Sequence, residues 1–179
     1  MIALTLEAIS ETLKKMGFET LLQNKTKDFP ADVLIVPIGV DDDEQSFVLQ
    51  IQHSVQDLSK QELSDGLGQF KAVQNKPFSF LSFLMAFPYE IPEKSAHDVM
   101  RMLFIANKAL PLQGLGYSEP EKSAYFLFTY PSTEHKISEE TIYGILGTIG
   151  FVVDNVAPVV RDLVSHKTTI SQLLSDEVV

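Results

Sequence analysis

The sequence predicts an α+β protein in which helices pack on a mainly antiparallel sheet. Apolar residues recur at helical spacing at both ends of the chain, while β-branched and aromatic runs with short polar connections lie between them. Strands do not alternate with helices as they do in a doubly wound fold. The expected order is a helix, three strands, a long connection, a strand, a helix, two strands and a helix. The 179 residues suit one domain, so we expect a single domain over residues 1–179.

The first element is predicted to be an amphipathic helix. Leu6, Ile9 and Leu13 share one face of it, and Gly17 follows as its end signal. A short strand is expected over residues 18–22. The β-branched run 32–40 and the alternating run 47–52 are expected to pair as a hairpin.

The middle of the chain contains the least regular segment. Residues 53–76 show no clear period, and we expect a loop with a short helix there. The next run, 78–87, is apolar on both faces, which predicts a central strand that is covered on both sides. Pro92 suits the first turn of a helix, so a second helix is expected over residues 93–110.

The last part of the chain is expected to add a hairpin, formed by residues 112–117 and 124–130, and a long helix. Ser138 can cap this helix, and Pro158 is expected to kink it or to split it. Residues 167–179 are expected to add a short helix or to fray.

Three glycines lie three residues apart in the predicted last helix, at Gly144, Gly147 and Gly150. A glycine in a helix interior costs up to about 1 kcal/mol relative to alanine. Three such costs on one stripe need a structural reason. We therefore expect another backbone to pack closely against these glycines.

The composition excludes several classes of function. Against 24 acidic residues there are only 14 basic ones, and the net charge of −10 repels phosphate backbones and anionic lipid surfaces. We therefore expect neither a nucleic-acid partner nor a membrane partner. The absence of cysteine excludes disulfides, thiolate metal sites and cysteine nucleophiles. The N-terminus lacks the basic segment of a signal peptide, and the apolar run 142–153 is short for a bilayer, so we expect a cytoplasmic protein.

Catalytic and cofactor motifs are missing from the sequence. It contains no G-x-S-x-G elbow, and its two Gly-x-Gly pairs lack the remainder of a phosphate-binding loop. Four histidines are too widely spaced for a metal-ligand motif: His53, His97, His135 and His166. We therefore expect no enzymatic activity, no cofactor and no metal site.

A sensor domain for a small molecule or a metal ion is the alternative function. It would use residues 53–76 together with the acidic residues 41–44. Carboxylate oxygens can attract a divalent cation, although this cluster lacks the spacing and the glycine of a calcium loop.

The predicted helix over residues 93–110 has two apolar faces, whereas a surface helix needs only one. A second subunit related by a two-fold axis would cover the additional face. We therefore expect a homodimer that also binds a partner protein of unknown identity. The candidate interface residues are Leu81, Phe83, Met102, Ile105 and Ala106.

Three segments in the second half of the chain resemble a known family. They are Tyr-Glu-Ile-Pro-Glu at 89–93, Met-Leu-Phe-Ile-Ala-Asn-Lys at 102–108, and Leu-Gln-Gly at 112–114, which leads into the strand at 125–130. In these segments the chain resembles the YbjN-like family, described as bacterial sensory transduction regulators, whose fold is similar to that of type III secretion chaperones. The resemblance covers about residues 78–165 and the general order of the N-terminal helix and hairpin.

The resemblance implies a compact α+β protomer that is often a homodimer, binds other proteins and has no established enzymatic activity. Asn107 matches the family asparagine near the helix end, where it would act as a C-cap or in a turn. The long segment 53–76 departs from the family pattern.

Overall fold

The computed structural model describes residues 1–26, 30–40, 44–56 and 77–176. It has eight strands in this part of the chain: β1 (Ile2–Ala3), β2 (Leu21–Gln23), β3 (Val33–Val40), β4 (Ser46–Gln56), β5 (Phe78–Ala86), β6 (Leu115–Ser118), β7 (Ser123–Ser132) and β8 (Lys136–Ile137). The helices there are α1 (Leu6–Lys15), α2 (Glu93–Ala109), α3 (Glu139–Phe151), α4 (Ala157–Val164) and α5 (Ile170–Asp176), and a π-helical segment, Val152–Val156, joins α3 to α4.

Six strands form one antiparallel sheet in the order β2-β3-β4-β5-β7-β6, and β1 pairs with β8 in a separate two-stranded ribbon. Helices pack on the sheet. The α+β class is therefore confirmed, as are the two predicted hairpins, β3–β4 and β6–β7. The strand β5 is central, as expected, because β4 and β7 pair with it on either side.

Local signals in the sequence set the helix ends. The Thr5 side chain accepts a hydrogen bond from the backbone N–H of Ala8 at 3.3 Å, which caps the N-terminus of α1. Gly17 follows α1 with a φ of 93°, a left-handed conformation that glycine adopts without steric cost. The Ser138 hydroxyl accepts from the backbone N–H of Thr141 at 3.1 Å and caps α3. The caps predicted at Gly17 and Ser138 are thus confirmed.

The core lies on one face of the sheet. Along β5, Leu81, Phe83 and Met85 are completely buried, and they belong to one apolar cluster with residues of α1, α2, α3 and α4. On the opposite face of β5, Phe80 and Leu84 are only half-buried. The expectation that β5 is covered on both sides is therefore wrong for the described part of the chain, because its helices pack on one face of the sheet.

The strands β2 and β4 differ in length from the prediction. β2 is restricted to Leu21–Gln23. β4 continues to Gln56, so His53 belongs to a strand and not to the start of a loop, because residues 53–56 pair with the first residues of β5. The short helix expected in this region would fall on residues 57–76, which lie outside the described residues.

Pro158 interrupts the long C-terminal helix without ending it. Proline lacks a backbone N–H and its ring collides with the preceding turn, so a regular α-helix cannot continue through it. The chain widens into the π-helical segment, in which the N–H of Ala157 donates to the carbonyl of Val152, and then resumes as α4. The predicted split is therefore not observed, because the helix continues through Pro158 with one widened turn.

Because the helix is continuous, it is longer than the apolar run 142–153 indicated. Glu139–Val164 spans 26 residues, and in the described part of the chain it is the one helix whose length and composition would allow it to cross a membrane. Core helices of soluble proteins have the same composition. One side of this helix packs in the core through Ile142, Ile145 and Ile149, so its composition does not assign a location.

The glycine stripe on α3 faces open space. A Cβ atom added at Gly144, Gly147 or Gly150 would meet nothing within 4 Å. The expected close packing of another backbone is therefore wrong within this chain as described.

Candidate functional site

The five predicted interface residues separate into two groups. Leu81 and Phe83 are completely buried in the core of their own protomer. Their assignment to an interface was wrong because these residues lie on the face of β5 that the helices cover. The neighbouring side chains of the strand, such as Phe80 and Leu84, lie half-buried on the other face.

The other three predicted interface residues, Met102, Ile105 and Ala106, are half-buried and lie together. They line an apolar groove of about 330 Å³ between α2, the π-helical segment, α4 and α5. Ile170 and Leu173 of α5 form part of the groove wall. The helices α4 and α5 of the same chain therefore cover part of the second apolar face of α2. Only the remaining part of this face is left for a second subunit to shield.

The open face of the sheet carries an apolar recess that the sequence analysis did not identify. Leu84 and Leu127 are direct cross-strand neighbours, as are Ala86 and Tyr125. We call these four residues the open-face patch. Together with Ser118, Glu121 and Ser123 they line a recess of about 180 Å³, and Leu127 is 41% exposed. None of the described helices covers it.

The geometry of the patch depends on a glycine in the neighbouring edge strand. A Cβ atom on Gly116 would collide with the Tyr125 ring, which shows that the ring lies across Gly116. Only glycine leaves room for an aromatic ring in this position. The Tyr125 side chain is thereby held flat against the sheet at the edge of the recess.

Large apolar side chains are also exposed on α2 and α3. Phe104 is 67% exposed, and the Lys108 ammonium lies 5.3 Å from the centre of its ring, at the distance of a cation–π contact. Tyr143 and Phe151 are exposed on α3, on the same stretch of helix as the open glycine stripe. Single exposed apolar residues are common in monomers, so these positions carry less weight than the recess on the sheet.

A polar cluster lies near the N-terminus of α1. The Ser79 hydroxyl, which is almost completely buried, is hydrogen-bonded to Nδ1 of His135, although the two residues are 56 positions apart. His53 is located on the neighbouring strand β4, and its Nε2 atom is buried without a hydrogen-bond partner. This is an unusual state for a buried polar atom.

A surface cavity of about 430 Å³ adjoins His53. It is lined by Thr5, Leu6 and Glu7 at the start of α1, by Lys25 and Asp32 in the β2–β3 connection, and by four further residues: Leu22, Asn24, Ala31 and His53. Burial lowers the pKa of His53 below 6.5, the nearby His135 lowers it further, and the Glu7 carboxylate opposes them. At neutral pH, His53 is therefore uncharged.

The histidine cluster does not have the arrangement of a catalytic site. A serine nucleophile must be reachable by substrate, but Ser79 is 1% exposed. Within the described ranges, no three histidine, aspartate or glutamate side chains are placed so that they could hold a metal ion. Of the acidic segment 41–44, only Glu44 is described, and residues 57–76 also lie outside the described residues. The sensor hypothesis based on those segments stays a prediction.

Asn107 has a different role from the predicted cap or turn. The helix continues to Ala109, and the Asn107 side chain reaches across to the start of β6. Its Oδ1 accepts from the backbone N–H groups of Gly114 and Leu115, at 3.1 and 2.9 Å, and its Nδ2 donates to the Leu115 carbonyl at 2.9 Å. Asn107 therefore joins α2 to the edge of the sheet.

Comparison with known proteins adds no assignment. The sequence matches no protein-family model, and no curated protein is significantly similar to it.

Proposed function

We propose that this protein is a non-enzymatic protein-interaction module, with a regulatory or chaperone-like role, that binds a partner protein through the open face of its sheet. The observation that carries the proposal is the open-face patch. An antiparallel sheet with one solvent-facing side normally has polar residues there. This sheet instead presents two leucines, an alanine and a flattened tyrosine around a recess.

The surroundings of the patch indicate how a partner would be recognised. A polar stripe adjoins it, because Gln50 pairs with Leu84, and the hydroxyl groups of Ser82 and Thr129 are hydrogen-bonded at 3.0 Å. A partner segment could place an apolar side chain in the recess and polar groups along the stripe, which is the usual arrangement of an apolar centre within a polar rim. The net charge of −10 favours a basic segment.

The resemblance to the YbjN-like family supports the same proposal, because it implies a protein that binds other proteins. The expected homodimer is part of the proposal as well: each protomer of the dimer would present an open-face patch to a segment of the partner protein. A second copy of the chain seated on the patch itself is a different outcome, which the mass of a crosslinked product distinguishes.

Site-specific photo-crosslinking tests the proposal. A benzophenone amino acid in place of Leu127 should form a discrete crosslinked product when cells of the native host are irradiated. The same amino acid in place of Glu134, an exposed position in the turn before β8, should not form this product. A product of twice the chain mass identifies a homodimer, and any other discrete mass identifies a different partner for sequencing.

A matched pair of charge substitutions then tests the patch itself. Leu84→Lys places a charge in the recess, whereas Ser54→Lys places the same charge on the same face of the sheet, outside the recess and the polar stripe. Leu84→Lys should abolish the crosslink at position 127, and Ser54→Lys should retain it. Equal crosslinking by both variants, or no specific product at position 127, would show that the patch is not a binding surface.

A small-molecule sensor is the second candidate function, because the cavity beside His53 combines Glu7 and Asp32 with Lys25. A thermal-shift screen with common zwitterionic metabolites tests it. An increase in the unfolding temperature that is lost in Lys25→Gln would favour this function over the first. If no compound raises the unfolding temperature, the cavity is not a binding site for these metabolites.

A further inference from the structure

We propose that His53, Ser79 and His135 form a pH-sensitive latch that holds β1 and the start of α1 against the sheet, and that protonation of His53 loosens this attachment. The proposal concerns a different region from the open-face patch and does not depend on it.

The sheet register places the three side chains together. His53 is directly opposite Leu81, and Ser79 precedes Leu81 by two residues, so His53 and Ser79 point to the same face of adjacent strands as diagonal neighbours. The Ser79 hydroxyl binds the ring of His135. Ser79 therefore lies between two imidazoles that come from β4 and from the turn between β7 and β8.

His135 connects this cluster to the N-terminus of the chain. Its backbone carbonyl accepts a hydrogen bond from the N–H of Leu4 at 2.9 Å, next to the two residue pairs that join β1 to β8. His135 also has a φ of 55°, in the left-handed region that is uncommon for residues other than glycine. The ring contact with Ser79 and the Leu4 hydrogen bond help to hold it there. A displaced ring would therefore also move the acceptor of the Leu4 amide.

Charge on His53 acts against this arrangement. His135 faces it from the β7–β8 turn, Lys25 lines the same cavity, and the N-terminus of α1 carries a partial positive charge. The opposing groups are Glu7 of α1 and Asp32, and Asp32 already accepts a hydrogen bond from the backbone N–H of Lys25 at 2.6 Å. From β5, the neighbouring Ser79 and Leu81 contribute no titratable group.

The direction of the pH dependence follows from the pKa of His53, which burial lowers below 6.5 in the closed state. When the latch opens, the imidazole returns to water and its pKa rises, so the open state binds the proton more tightly. The latch therefore has its full stability above about pH 6.5 and loses stability as the pH falls towards the lower pKa of the closed state.

Amide hydrogen exchange of the full chain measures the latch directly. The protection of the Leu4 amide, compared with core amides such as that of Leu49 and corrected for intrinsic exchange rates, should fall about threefold to tenfold between pH 7.5 and pH 5. The change should lie between pH 6.5 and the midpoint of the His53 ring titration, which the carbon-bound protons of the imidazole report for the closed state. Constant relative protection of Leu4 over this range would overturn the proposal.

Two variants distinguish the latch from general acid destabilisation. His53→Gln keeps a polar side chain but cannot become charged, so the relative protection of Leu4 should no longer depend on pH. His97→Gln changes an exposed histidine on α2 and should retain the wild-type dependence. If His53→Gln retains that dependence, His53 is not the switch. If this variant fails to fold, a loss of Leu4 protection in the wild-type protein that occurs entirely outside the interval between pH 6.5 and the midpoint of the His53 ring titration would overturn the proposal equally.

Discussion

The two faces of β5 have nearly the same amino-acid character but very different surroundings. On one face, Leu81, Phe83 and Met85 are inaccessible to solvent beneath the helices. On the other, Phe80 and Leu84 are half-buried, and none of the described helices lies over them. Two faces that look alike in the sequence can therefore serve different purposes, because the covered face stabilises the fold while the open face remains accessible to another molecule.

The difference arises from contacts between distant parts of the chain. The covered face belongs to a single apolar cluster that also includes Ile9 of α1, Val99 of α2 and Ile145 of α3. Each of these helices carries an apolar stripe that must be buried, and the sheet provides one common surface for all of them. Once the helices occupy one face, the apolar residues of the other face have no intramolecular counterpart in the described part of the chain.

The largest expected contrast comes from truncating one phenylalanine on each face of β5. Phe83→Ala should lower the free energy of unfolding by about 3–5 kcal/mol, because it removes a completely buried ring from a packed core. Phe80→Ala should cost about 1 kcal/mol, because that ring is half-buried. Urea denaturation of both variants measures the difference. Similar losses would show that something covers the open face in solution as well.

A smaller but substantial loss is expected when the link between α2 and β6 is removed. Asn107→Ala eliminates three hydrogen bonds and leaves backbone groups of Gly114 and Leu115 without their partner. It should cost about 2–3 kcal/mol, since unsatisfied buried groups are expensive. Asn155→Ala is the matched control, because Asn155 makes one exposed hydrogen bond to the Phe151 carbonyl and its loss should cost less than about 0.5 kcal/mol. Equal losses in the two variants would contradict the bridging role of Asn107.

Much of the fold could be predicted because the decisive signals are local. Ser138 caps α3 through a residue three positions away, and Gly17 ends α1 through its own backbone conformation. The β-branched run of β3 and the apolar run of β5 likewise identify strands without information from elsewhere in the chain. The elements α1, α3, β3 and β5, whose signals lie within a few residues, therefore agree with the prediction.

The features that escaped prediction depend on residues that are far apart in sequence. The contact between Ser79 and His135 joins residues 56 positions apart, and the two-residue strand β1 exists only because β8 pairs with it. Asn107 was expected to act at its own helix end, but its partners are seven and eight residues ahead, where the next strand begins. Nor does periodicity indicate which apolar face of β5 the helices select, which is why Leu81 and Phe83 were assigned to an interface.

The smallest expected effect on the free energy of unfolding concerns the glycine stripe of α3. Its sign shows whether this helix surface is free or packed against another chain. Gly147→Ala should raise the free energy of unfolding of the monomer by about 0.5–1 kcal/mol, since alanine favours the helix and its Cβ atom would meet nothing within 4 Å. Gly114→Ala is the contrasting control: its Cβ atom would collide with the Leu127 carbonyl, so it should be destabilising. Urea denaturation over a range of protein concentrations measures both variants. If Gly147→Ala instead destabilises the protein, and does so more strongly at high protein concentration, then α3 packs closely against another chain. In that case the surface that contacts other molecules would include this helix as well as the open face of the sheet.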